Sequence, residues 1–229
     1  MRIEVNHNSK NFDSFRANTV KSLFNAENGH EWSHTANIPI EDDNWQIGLI
    51  VGPSGSGKTS IGKQVWPDVS IHDLYKGWDE NLPIIDNIAP DKSLNEVTAA
   101  LSAVGLGDVP AWLRPFKALS NGEQYRAGLA RLICDNPDKV VIDEFTSVVD
   151  RQIAQIGASA FSKSWRRTKG KQIVLLSCHY DIVEWLQPDW VYDTRTGEVK
   201  KKPTNDLLLN STFGRQTELT GSILKSIII

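Results

Sequence analysis

Over residues 1–46 short apolar runs alternate with polar stretches, including turn clusters at Ala26 to Gly29 and Glu41 to Asn44. That pattern predicts an antiparallel β layer. Ile47 to Val51 is a short apolar run that stops at Gly52, as in a strand buried on both faces. The loop after it opens a helix at about Lys58. Ser93 and Glu96 form a capping box, and Leu94, Val97, Leu101 and Val104 then recur at helical spacing until Gly105. A second capping box, Ser120 with Glu123, opens a helix through Ile133, which Pro137 stops. Val140 to Ile142 reads as another buried strand. Ile153, Ile156, Ala160 and Phe161 mark the next helix, Ile173 to Leu176 a third strand and Trp190 to Tyr192 a fourth. Strands alternating with helices imply a mostly parallel sheet covered on both faces, an α/β architecture. Residues 203–229 show no clear periodicity and read as a C-terminal tail.

The first buried strand leads into Gly52-Pro53-Ser54-Gly55-Ser56-Gly57-Lys58-Thr59, a strand–loop–helix phosphate motif, with Ser60 next. Its glycines let backbone amides approach phosphate oxygens, and the helix N-terminus adds partial positive charge. Lys58 is placed to neutralise the β and γ phosphates, and the Thr59 hydroxyl to ligate Mg²⁺. Val140-Val141-Ile142 delivers Asp143 and Glu144 to the sheet edge. A carboxylate there holds Mg²⁺ through water, and its neighbour polarises an attacking water. P-loop and acids together predict a nucleoside triphosphate and Mg²⁺ as ligands, with Thr59 and Asp143 on the metal.

Composition narrows the setting. The chain has 229 residues, 40% of them hydrophobic, enough for one large domain or two small ones. A net charge of −3 does not point to a general nucleic-acid binder. The two cysteines, Cys134 and Cys178, form neither a zinc spacing nor a disulfide framework, which suits a reducing cytoplasm. Met1 to Phe12 is polar with no apolar signal core. No stretch approaches the ~20 apolar residues of a membrane span, so direct membrane insertion is not expected. The tryptophans at 66, 78, 112, 165, 185 and 190 are expected mainly in packing, and the basic stretch Lys163 to Lys171 as a solvated helix end.

Three further segments carry a family resemblance. Leu119-Ser120-Asn121-Gly122-Glu123-Gln124 resembles the LSGGQ signature of ABC-type ATPases. Asn136 through Glu144 to Asp150 resembles their Walker B and D-loop block, and Ser177-Cys178-His179-Tyr180-Asp181 their switch-histidine segment. With the P-loop, these motifs run in family order over roughly residues 47–195. Trp112 to Phe116, Asp143 to Arg151 and Cys178 to Val191 resemble more narrowly a soluble bacterial and phage subgroup, often fused to an acetyltransferase domain. At 229 residues the chain is not expected to hold one.

The resemblance implies an ABC nucleotide-binding domain over 1–202, with a helical insert at about 88–135 and a tail at 203–229. It implies a dimer formed head to tail on ATP binding. Ser120 and Gly122 would contact the γ-phosphate held by another protomer, and Asp150 would reach across the interface. His179 would bond the γ-phosphate or the attacking water, Glu144 would orient that water, and Phe24, with Trp32 as the competing candidate, would stack on adenine. The chain also departs from the family. No glutamine lies between Gln64 and Gln124, so either a residue in His72 to Asp79 takes over the γ-phosphate and Mg²⁺ sensor role or none does. Glu123 must point away from phosphate, and Phe145 stands where a proline is usual. The short insert and absent glutamine favour a soluble mechanochemical ATPase acting on a macromolecule or partner protein. The alternatives are a transporter's ATPase subunit and a non-hydrolysing ATP sensor for a partner enzyme.

Overall fold

The computed structural model describes residues 1–8, 12–24, 31–42 and 44–202. The turn expected at Ala26 to Gly29 and the tail at 203–229 lie outside the described residues, as does part of the turn at Glu41 to Asn44. In the N-terminal part β1 (Arg2–Asn8) pairs antiparallel with β2 (Glu31–Asn37), Arg2 opposite Asn37 and Asn8 opposite Glu31. This is the β layer that the alternation predicts. Between the two strands runs α1 (Phe15–Phe24), which the sequence pattern does not predict. Ser14 Oγ accepts from Ala17 N–H at 3.2 Å, an N-cap bond, but α1 has no buried residue. Without an apolar stripe facing a core, a helix leaves no periodic signal.

The main sheet is built on β3 (Ile47–Val51), buried at all five positions. It also contains β4 (Ile71–His72), β5 (Lys139–Ile142), β6 (Gln172–Ser177), β7 (Trp190–Asp193) and β8 (Glu198–Lys201), in the order β4-β5-β6-β3-β7-β8. All pairings are parallel except β7 with β8. The register sets Val51 beside Ser177 and Ile142 beside Leu175. The loops after β3, β5 and β6 therefore leave the sheet at one edge.

Strand alternation sorts the side chains onto two faces. Leu49, Val51, Ile142 and Leu175 join one apolar cluster, Ile50, Val141, Val174 and Leu176 the other. The second cluster takes in Ile3, Val5, Ala36 and Ile38 of the β pair, and Ile61 and Val65 of α2 (Lys58–Val65). The first takes in α4 (Leu94–Ala103), α6 (Asn121–Asp135) and α7 (Arg151–Trp165). The segment read as a helical insert thus shares a continuous core with the sheet. Short helices α3 (Ile84–Asn87), α5 (Val109–Trp112) and α8 (Ile182–Leu186) complete the chain.

Both capping boxes form as expected, Ser93 with Glu96 and Ser120 with Glu123. Two helical positions differ: Leu94, expected on the apolar stripe of α4, is 66% exposed, and Ile156, expected on that of α7, is 58% exposed. The adjacent Gly157 instead faces inward against the ring of Tyr125. The tryptophans behave as packing residues: Trp165 and Trp190 are buried, and Trp45 stacks on Trp66 at 5.9 Å. Within the basic stretch, Arg166 pairs with Asp189 and Lys171 with Asp138.

Gly48 in β3 lies directly under the Trp190 indole, where an added Cβ would sit 2.0 Å from Cζ2. Trp190 is 2% exposed and has little room to retreat. Gly48→Ala should destabilise the fold by about 1–3 kcal/mol, the usual cost of overpacking a core. Urea unfolding measures it, and an unchanged midpoint would contradict this packing.

Candidate functional site

The P-loop begins where β3 ends. Gly52 N–H donates to Ser177 O at 3.3 Å, tying the loop to the end of β6. Gly57 is the N-cap of α2 with φ 83°, a left-handed backbone that a side chain would strain. Lys58 folds back over the loop, its Nζ donating to Gly52 O at 2.9 Å and Pro53 O at 2.8 Å. Ser56 Oγ lies 2.6 Å from Thr194 Oγ1, which fixes the loop's other flank to the segment after β7.

Thr59 Oγ1 donates to Asp143 Oδ2 at 2.6 Å, a bond between residues 84 positions apart. The second carboxylate oxygen, Oδ1, accepts from Glu144 N–H at 2.8 Å. The P-loop and the acidic strand end therefore face one cleft of about 370 Å³. Ser54, Gly55, Gly57, Lys58, Thr59 and Ser60 line it with Asp143 and Glu144. Ser147, Ser177 and Cys178 line it too, although the motif reading gave them no role. Their signal lies in strand register, because Ser177 stands beside Val51, the last residue before the loop.

The donor set fits Mg²⁺. A hydroxyl and a carboxylate stand in contact, and among the described residues no cluster of three or more His, Cys, Asp or Glu could cage a metal. Mg²⁺ characteristically takes one or two carboxylates and completes its shell with water and substrate phosphate.

The turn after Asp143 is strained. Glu144 has φ 50° and Thr146 φ 71°, both left-handed, and Thr146 is β-branched. Phe145 holds the turn down: its N–H donates to Leu176 O at 2.9 Å, and its carbonyl accepts from Ser177 Oγ at 3.1 Å. Glu144 itself is exposed beside the cleft.

His179 follows the Ser177 anchor but does not line the cleft. Its N–H donates to Ser177 Oγ at 3.1 Å, and its Nδ1 is buried without a hydrogen-bond partner. Burial and then the nearby Arg151 charge lower its pKa from the usual histidine value, against an opposing pull from Asp181. At neutral pH the imidazole is held uncharged.

The remaining expected residues stand away from the cleft in this single chain. Phe24 is 77% exposed at the end of α1 and does not line it. Ser120 caps α6, its Oγ accepting from Glu123 N–H at 3.4 Å. Gly122 is buried where a Cβ would meet Ile153 Cδ1 at 2.6 Å. Asp150 caps α7, accepting from Gln152 and Ile153 N–H at 3.0 Å each. Glu123 points into its cap, as the signature requires: it accepts from Ser120 N–H at 2.7 Å and from Arg114 at 3.0 Å.

A second cavity of about 300 Å³ shares Asp143 and Glu144 with the cleft. His72, Asp73, Leu74 and Tyr75 line it, along with Tyr125 and Thr146, so part of the His72 to Asp79 segment faces a cavity that the acids also line. His72 Nε2 and Tyr125 Oη are buried there without partners. Burial, then Arg131, lowers the His72 pKa against Asp135 and Asp73.

No protein-family model matches the chain. The chain is similar to the teichoic acids export ATP-binding protein TagH of Levilactobacillus brevis, 27% identical over 210 residues that cover 81% of this chain and 57% of that protein. Against TagH of Lactococcus lactis the identity is 26% over 227 residues, 87% of this chain and 48% of the relative. The methionine import ATP-binding protein MetN of Escherichia coli is 33% identical over 132 residues, 54% of this chain and 35% of the relative. The chain thus spans about half the length of the TagH relatives it matches. Among solved structures it resembles the dimeric ATP-binding cassette MJ0796 in a post-hydrolysis state bound to ADP and Pi. The TM-score is 0.56 at 15% identity, covering 73% of this chain and 88% of that one. The fold is that of an ABC ATPase nucleotide-binding domain, with an N-terminal antiparallel β pair beside a mainly parallel sheet.

Cys178 is exposed on the cleft, whereas Cys134 is buried, which together with Asp135 pushes its thiol up to about 11. At pH 8 about one part in a thousand of Cys134 would be thiolate. A maleimide should therefore modify one thiol, Cys178, in the native protein, and MgATP should slow the reaction. Equal reaction of both thiols would contradict the burial; a rate indifferent to nucleotide would move ATP out of this cleft.

Proposed function

We propose that the chain binds ATP on the Gly52 to Thr59 loop and hydrolyses it as one half of a head-to-tail dimer, as the ATPase component of a transporter. The observation that carries the site is the Thr59–Asp143 bond, which joins P-loop and acidic strand end with Lys58 and Glu144 on the same cleft. Thr59 and Asp143 would hold Mg²⁺, which when bound neutralises phosphate charge and orients the γ-phosphoryl group. Lys58 carries the principal side-chain charge toward the β and γ phosphates. Glu144, exposed at the cleft, orients and polarises the attacking water. His179, uncharged, is available to bond that water or the γ-phosphate.

Dimerisation is supported by the positions of Ser120, Gly122 and Asp150. They lie at helix N-termini outside the chain's own cleft, as residues that complete another protomer's site would. MJ0796, which shares the fold, is a dimer in its solved structures. Phe24, exposed on α1, is free to stack on adenine. In place of the missing glutamine, His72 and Tyr75 are the groups on the second cavity, which the acids also line.

The named relatives favour the transporter role over the soluble mechanochemical one, since TagH and MetN are export and import ATP-binding proteins. Among the described residues no helix is long and apolar enough to cross a membrane. The soluble reading rests on the short insert and the absent glutamine, and the narrower likeness to the acetyltransferase-fused subgroup rests on the segments at 112–116, 143–151 and 178–191. Glu144 beside the cleft argues against a non-hydrolysing sensor.

Glu144→Gln keeps the side chain's shape and removes its charge. Turnover should fall roughly 10²-fold or more, as for a lost general base, with ATP affinity retained in calorimetry. Wild-type turnover in this variant would take the role from Glu144. Trapped with MgATP, the same variant should sediment with membranes and a permease; recovery in the soluble fraction with another protein favours the mechanochemical reading.

Sharing of the site has its own test. Ser120→Arg should abolish hydrolysis while each chain still binds ATP on its own loop. Mixed with Lys58→Ala, it should regain activity, because one of the two sites then pairs an intact loop with an intact signature. Full activity of Ser120→Arg alone would reject the shared site.

A further inference from the structure

Arg151, the first residue of α7, follows Asp150 and has no part in the nucleotide chemistry described above. Its guanidinium grips Asp181 with two bonds: Nε donates to Oδ2 at 2.9 Å, and Nη2 donates to Oδ1. The third nitrogen, Nη1, donates to Thr146 Oγ1 at 3.4 Å. The guanidinium carbon also lies 4.9 Å from the Trp185 ring centroid in α8. One side chain therefore joins the start of α7, the strained turn that carries Glu144, and the loop that carries His179. A planar arginine fork suits this task, because it fixes a carboxylate in orientation as well as distance.

We propose that Arg151 is a positioning residue for hydrolysis, clamping the His179 loop to the Glu144 turn so that both groups meet the attacking water as one unit. The proposal rests on the hydrolytic reading of the cleft. Three observations support it beyond the ion pair. Thr146 sits in a left-handed backbone that a β-branched residue adopts only when its surroundings hold it there, and Arg151 is one of those holds. Asp181 lies two residues beyond His179, so its grip limits how far the imidazole can swing. The clamp also starts beside Asp150, the residue placed to meet a second protomer, so movement of α7 at that interface would be felt at both water-orienting groups.

The charged groups that act on His179 are Arg151 from α7 and Asp181 from its own loop, and they act in opposite directions. Arg151 disfavours the imidazolium, Asp181 favours it, and burial outweighs both. This opposition makes a test that simple loosening of the fold would not mimic. The Arg151 and Asp181 side chains are 36% and 47% exposed, so their loss should leave the chain folded.

In Arg151→Gln, ATP affinity should be unchanged and kcat should fall about 10- to 100-fold, the range for a reacting group displaced by about an ångström. The His179 ring protons, followed by NMR in the nucleotide-free protein, should titrate at higher pH than in wild type. In Asp181→Asn, kcat should fall similarly while His179 titrates at lower pH. The double variant should lose no more turnover than either single one, because both remove the same contact. Arg151→Lys keeps the charge without the fork: it should leave the His179 titration near wild type and still lose turnover. Full turnover in both Arg151 variants, additive losses in the double variant, or His179 shifts in the same direction for Gln and Asn would overturn the clamp. A wild-type chain that fails to hydrolyse ATP would instead refute the hydrolytic reading, and the titration arm, which needs no nucleotide, would still decide whether the clamp exists.

Discussion

In a parallel sheet every strand delivers its carboxyl end to the same edge, and the site depends on that constraint. β3, β5 and β6 run side by side in a register that brings Gly52, Asp143 and Ser177 to one level of the fold. Covering both faces is what makes such a sheet stable, because its strands have no polar face to offer water. The α helices cover one face, and α2 with the N-terminal β pair covers the other. Given that frame, the hydroxyl of Thr59 and the carboxylate of Asp143 meet with little rearrangement of either loop. Their hydrogen bond is a consequence of strand register before it is a piece of chemistry.

The turn after Asp143 shows a different balance. Left-handed backbone at Glu144 and Thr146 stores about 1–3 kcal/mol at each position. Phe145, 1% exposed between them, offsets that strain by burying its ring and by bonding both its amide and its carbonyl to β6. A proline at this position would have no N–H to give to Leu176 O. The departure from the family's usual residue is thus built into how the turn is fastened. The result is an acid turned outward to the cleft on a backbone anchored directly beneath it.

What the sequence revealed follows the range of each interaction. The P-loop and the two capping boxes are local, made by residues within a few positions of each other, and they were legible. The buried strands were legible because both faces are covered. Helix α1 was not, since Phe15, Val20, Leu23 and Phe24 are all exposed and trace no stripe. Ile156 reads as a stripe position, but the close approach of Tyr125 gives the inward place to the smaller Gly157 next to it. Ser177, with Cys178 after it, reaches the cleft through strand register, and Ser147 through the turn after Asp143; residue types encode neither. The tie of Arg151 to Asp181 spans 30 positions and joins two segments that each read as separate motifs.

The signature helix poses the sharpest electrostatic question, because a carboxylate at its N-terminus would repel the phosphate it is thought to receive. Protonation of Glu123 does not resolve it. The bond from Ser120 N–H is the leading reason its pKa falls below the usual glutamate value, with the Ser120 hydroxyl and Arg114 adding to it against desolvation. Glu123 therefore stays ionised at neutral pH. What balances its charge is Arg114, 3.0 Å away, whose guanidinium is 41% exposed at the same helix end. The capping box turns the carboxylate back onto the helix's own first amide, and the arginine cancels its charge locally. An arriving anion then meets the partial positive charge of a fifteen-residue helix and a neutral ion pair instead of a bare negative charge. If this surface receives phosphate as proposed, its receptivity would rest on Arg114, a residue outside the signature motif.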